Sequence, residues 1–134
     1  MGPEGSETMG RLFTVAAILI FLLGLGWMFA PGPNLTSLGF SDDETMKYMA
    51  RRYAVLMIGF GIVYWSARTN RPSAARRGIL VAAVVVTALL AGVSLHGILA
   101  NTVTVMGWVP FGGERVLTVA FGYFLVARRD TGSK

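Results

Sequence analysis

Three side chains of this 134-residue chain carry the types from which a polar site inside a membrane is built: Arg52, His96 and Glu114. An arginine supplies fixed positive charge, a carboxylate balances it or holds a proton, and a histidine donates, accepts or titrates near neutral pH. Each lies near the outer end of a separate apolar run, so the three share one layer. Each also continues a stripe of helical spacing: Arg52, Leu56, Gly59; Ala88, Gly92, His96, Ala100; Glu114, Thr118, Gly122. Small residues at every fourth place mark helix contacts in lipid, which makes Tyr53, Gly59, Gly92 and Thr118 the expected lining.

Two readings fit these residues. In one, Arg52, His96 and Glu114 form a small pocket open to the outer side that holds an anionic or lipid-like headgroup or passes a proton. In the other, Arg52 and Glu114 are an interhelical ion pair and His96 is satisfied by a carbonyl or by Tyr53, since structural polar contacts between membrane helices are ordinary. Arg51 points about 100° away from Arg52 around a helix. It lines up with Val55, Ile58 and Ile62, a lipid-suited face, so the spacing predicts that Arg52 faces the bundle and Arg51 is an interfacial anchor, with Trp27 and Trp65 as further anchors.

The inventory argues against most enzyme classes. One histidine, no cysteine and no carboxylate inside the apolar runs 12–30, 52–67, 78–100 and 116–127 leave no metal-ligand set and no nucleophile with a base. No cofactor follows from the residues. The formal charge of +5 does not point to nucleic acid, because the basic residues stand at the ends of apolar runs rather than along one face.

Positioning these groups requires helices across a bilayer. Apolar residues make up 54% and charged residues 14% of the chain, far from the balance of a soluble domain. Four apolar stretches approach the roughly 20 residues that cross about 30 Å of hydrocarbon. The pattern predicts an all-α four-helix transmembrane bundle over 11–130, with spans at about 12–30, 45–67, 78–100 and 114–128. Residues 1–10 read as a flexible polar tail, and 131–134 as a second tail. Pro31 and Pro33 end the first helix, Pro72 separates the second and third, and Pro110, Gly112 and Gly113 break the chain before the fourth. Ser41 with Glu44 three residues on has the spacing of a capping box. Tyr64, Trp108 and Tyr123 join the tryptophans near the span ends as an aromatic belt.

Orientation follows from the basic residues. Arg11, the 68–77 linker and the last seven residues carry eight Lys or Arg, against Lys47, Arg51, Arg52 and Arg115 on the other side. The richer side is expected to be cytoplasmic, with both termini inside.

The run "WMFAPGPNLTSLGF", followed by "RRYAVLMIGFGIVYWSA", a basic linker and "HGILANTVTVMGW", resembles small bacterial four-helix membrane proteins of the broad DoxX-like grouping. The resemblance implies a four-helix architecture in a bacterial inner membrane, with Arg52 at the position of the family's arginine, and it implies no particular activity. The expected function is binding, either of a lipid-like small molecule or of partner membrane proteins, in a homo-oligomer or larger complex. The alternatives are an accessory subunit of a respiratory, photosynthetic or transport assembly, and a small oligomeric transporter or channel.

Overall fold

The computed structural model describes residues 3–69 and 73–127. The break at Pro72, Arg71 of the basic linker and the tail at 131–134 lie outside the described residues, as do the last three basic residues used in the orientation count. Five α-helices make the fold: α1 (Pro3–Phe29), α2 (Pro31–Leu38), α3 (Glu44–Ala67), α4 (Ala74–Leu99) and α5 (Trp108–Ala127), with a 3₁₀ turn at Val105–Gly107 before α5. Among the described residues three segments are long and apolar enough to cross a membrane: Glu4–Phe29, Ala74–Leu99 and Val105–Ala127. At 24 residues α3 has the length, but Arg51 and Arg52 dilute its apolar character.

The chain punctuation explains the helix ends. Ala30, held at φ −130° by the ring of Pro31, separates α1 from α2, whose first and third residues are prolines that need no donor there. Both α2 and α4 end in a Schellman pair. Gly39 and Phe40 N–H donate to the carbonyls of Thr36 and Leu35, and Asn101 and Thr102 N–H to those of Ile98 and Gly97. Gly39 has φ +89°, and Asn101, at +53°, takes the same left-handed position that asparagine tolerates better than most residues.

Three expectations about boundaries are corrected. Residues 3–10 are helical rather than a loose tail: Pro3 sits at the first helical position, and Met9, fully buried, gives the segment apolar surface to dock. The cap of α3 is Asp43, not Ser41. The Asp43 carboxylate accepts from Met46 N–H at 2.9 Å, and the Ser41 hydroxyl donates to the other oxygen of that carboxylate. Finally, α5 begins at Trp108 rather than about 114. Pro110 is its third residue, within the first turn where a missing donor costs nothing.

The helices pack as two hairpins, α1 against α3 and α4 against α5. In the first, Gly10 faces Arg68, Phe13 faces Tyr64, Gly61 faces Ala17 and Phe21, Gly24 faces Ala54 and Ile58, and Trp27 faces Tyr53, an antiparallel register kept along the whole of α1. The hairpins meet where α1 and α4 begin and α3 and α5 end. There Met9, Phe13, Tyr64, Leu80, Ala83, Phe121 and Phe124 form the core. Phe13, Tyr64 and Phe121 close a triangle of rings with centroids 5.4 to 5.9 Å apart. Tyr64 therefore belongs to the core and not to the aromatic belt.

Candidate functional site

Helix rotation decides which residues meet. The buried face of α3 is Ala50, Ala54, Met57, Gly61, Tyr64 and Ala67, and that of α4 is Arg76, Leu80, Ala83, Thr87 and Ala91. The stripes Arg52–Leu56–Gly59 and Ala88–Gly92–His96–Ala100 are therefore turned away from the helix contacts. A methyl group added at Gly59 or Gly92 would meet nothing within 4 Å, whereas one at Gly24 would lie 2.8 Å from Ile58 Cγ1. Close approach is made by Gly24 and Gly61, not by the glycines expected. Of the α5 stripe, Glu114 and Thr118 face α4, while Gly122 has open space where a side chain would stand.

Arg52 and Glu114 do not pair. Among the described residues the ion pairs are those of Lys47 with Asp42 at 3.1 Å and Glu44 at 3.2 Å. The Arg52 guanidinium instead folds back along its own helix, donating to Tyr48 Oη at 3.2 Å and lying 5.8 Å from that ring. Both arginines are exposed, as is His96. Trp65 is exposed, while Trp27 is half-buried against Tyr53, with ring centroids 6.4 Å apart.

What the fold brings together is a polar ladder on the α4–α5 seam. The Ser94 hydroxyl donates to Glu114 Oε2 at 2.7 Å. One turn further in, Thr118 Oγ1 lies 2.7 Å from the Glu114 carbonyl and 2.9 Å from Thr87 Oγ1, and Thr87 Oγ1 lies 2.8 Å from the Ala83 carbonyl. Two hydroxyl protons serve these three contacts, so the threonine pair can run in either direction: Thr87 donating to Thr118, or the reverse.

The earlier start of α5 changes the meaning of Glu114. It stands six residues after Trp108, about 9 Å along the axis, inside the candidate span Val105–Ala127 rather than at its mouth. A carboxylate at that depth is costly unless it is hydrogen-bonded or used. Arg115, next to it, turns outward and lies 5.7 Å from the Phe111 ring.

Sequence reasoning missed Ser94, Thr87 and Arg76. Thr87, Ala91 and Ser94 follow Leu80 and Ala83 at spacings of three and four, a small and polar stripe that was present in the sequence but passed over in favour of the histidine. Arg76, counted as a loop charge, is 2% exposed and lies 5.7 Å from the Phe13 ring, where its backbone N–H is capped by Ser73 Oγ. Asn101, Thr102 and Thr104 are loop and cap residues; Thr104 Oγ1 donates to the Ser37 carbonyl at 2.6 Å and Thr104 N–H to the Leu38 carbonyl at 3.0 Å. Comparisons of the chain with family models, curated proteins and solved structures return no match.

Proposed function

We propose that this chain is a four-span inner-membrane protein, both termini cytoplasmic, that works by binding an amphiphile in the outer layer of the bilayer at the Glu114 ladder. The fourth span is α3, which follows α1 in antiparallel register from Arg68 to Tyr53 and so is carried through the same thickness. The eight-to-four basic asymmetry supports the orientation. The DoxX-like resemblance belongs to the same proposal and rests on the quoted sequence segments.

The observation that carries the binding reading is the state of the Glu114 carboxylate. Oε2 is taken by Ser94, and among the described residues nothing donates to Oε1. An intramembrane carboxylate half-satisfied by its own fold offers its second oxygen to a hydroxyl or amine of a ligand, while exposed Arg51 and Arg52 in the same outer layer suit an anionic group on that headgroup. Mass spectrometry of small molecules retained after mild detergent extraction tests this. Wild-type protein should keep an amphiphile that Glu114→Gln loses while melting within a few degrees of wild type. Equal retention by both would reject the site.

A second reading, contact with other membrane proteins or further copies, is favoured by Gly92, Gly112, Gly113 and Gly122, each with open space where a side chain would stand. Only monomers in native mass spectra from several mild detergents would count against it. A transporter is less well supported, because the ladder stops at Thr87 above the apolar core of Ala83, Phe121 and Tyr64.

A further inference from the structure

The opposite end of the molecule carries a second lipid-shaped feature that owes nothing to Glu114. Where α1 begins and α3 ends, a polar cleft of about 440 Å³ is lined by Glu7, Arg11, Thr14, Arg68 and their neighbours Ser6 and Thr69. Next to it along the same seam lies an apolar groove of about 300 Å³, with Ala17 and Gly61 at its floor and Ile18, Leu22, Ile62 and Trp65 in its walls. The alignment is helical: Glu7, Arg11, Thr14, Ile18 and Leu22 step along one face of α1 by threes and fours, and Arg68, Trp65 and Ile62 step along α3 by threes.

The polar end is prepared for an anion. Arg68 is fixed, its Nη1 donating to the Trp65 carbonyl at 2.7 Å and its guanidinium stacked 3.5 Å from the Trp65 ring, which leaves its other N–H groups to a ligand. Among the described residues neither Arg11 nor Arg68 forms an ion pair, although Glu7 lies one turn from Arg11. Two arginines and one carboxylate give the cleft one net positive charge, with the Thr14 and Ser6 hydroxyls beside it. Trp65 marks the depth of the headgroup boundary.

We propose that this seam binds an anionic phospholipid, its phosphodiester held by Arg11 and Arg68, a headgroup hydroxyl accepted by Glu7, and one acyl chain laid in the groove over Ala17 and Gly61. Gly61 lets α1 and α3 come together beneath the groove, because a Cβ there would lie 3.0 Å from Phe21 Cβ and 3.2 Å from the Ala17 carbonyl. Charge selects the headgroup and the groove requires the chain, so neither a zwitterionic lipid nor a soluble phosphate fits both parts.

Native mass spectrometry of the full chain in mild detergent, titrated with phosphatidylglycerol, phosphatidylcholine or glycerol 3-phosphate, tests this. Phosphatidylglycerol should be retained over phosphatidylcholine, and Arg11→Gln should weaken that retention roughly fivefold, with a further similar loss in the Arg11→Gln, Arg68→Gln double variant. Among the described residues the Arg11 side chain makes no hydrogen bond, so the single variant keeps the site testable if the double variant unfolds. Arg51→Gln and Glu114→Gln should leave phosphatidylglycerol binding unchanged, which separates this site from the outer one. Equal retention of the two lipids, full retention by Arg11→Gln, or competition by glycerol 3-phosphate as strong as that of the lipid would each overturn the assignment.

Discussion

The two hairpins solve one problem in different ways. Between α1 and α3 no side-chain hydrogen bond crosses among the described residues, and the helices are brought together by Gly24 and Gly61, over which Ile58, Ala17 and Phe21 close. Between α4 and α5 the seam is polar, Glu114 to Ser94 and Thr118 to Thr87. Lipid tails are as apolar as the side chains they would replace, so neither hairpin gains much from burying apolar surface. Close packing holds one together and hydrogen bonding the other, and only the second leaves chemistry behind.

The comparison can be broken at several points. The largest effect is expected where both hairpins share the core: Phe121→Ala, at a fully buried ring, should cost about 3–5 kcal/mol and separate the hairpins in thermal unfolding. Gly24→Val should follow at about 1–3 kcal/mol, because its new atoms meet backbone at 3.1 Å, whereas Gly59→Val should be close to neutral. If the two glycine variants melt alike, close approach does not hold α1 to α3. Ser94→Ala, removing one interhelical bond, should cost about 0.6 kcal/mol and at most ~1.7. A larger loss would mean that the carboxylate depends on that hydroxyl for its solvation.

Smaller effects sharpen the picture. Arg51→Ala and Arg52→Ala should resemble each other, each well under ~1 kcal/mol by detergent melting, since both side chains are exposed and neither is ion-paired. A strongly destabilising Arg52→Ala would restore the ion pair expected from the sequence. Asp43 gives the smallest and a pH-dependent effect. The Ser41 hydroxyl, then the Met46 N–H, hold its carboxyl below the ordinary carboxylate range. Its contribution is therefore present above the unfolded value near ~3.9 and is lost as pH falls through the lower folded value. Asp43→Ala should lower the melting temperature slightly at neutral pH, and the gap to wild type should close in acid.

The helical segments were largely legible, because apolar runs punctuated by proline, glycine and cap residues locate helices without tertiary information. The ends were less so. Pro110 read as a breaker because sequence alone does not say whether a proline stands inside a helix or in its first turn, and that displaced Glu114 from inside a span to its mouth. Rotation was least legible. On helices apolar nearly all round, Arg52 and His96 looked like the marks of an inner face, yet long or titratable side chains near a span end can satisfy themselves outward. The faces were set by which small residue meets which neighbour: Gly61 rather than Gly59, and Ser94 rather than His96.

The contact of Thr104 with Ser37 and Leu38 fastens the α4–α5 loop of one hairpin to α2 of the other, at the far end of the molecule from the shared core. Two bodies pinned at two separated points keep one freedom, a swivel about the line joining the pins. Any relative motion of the two hairpins must therefore proceed like a door on two hinges, swinging sideways about that line, and not like a jaw opening from one end.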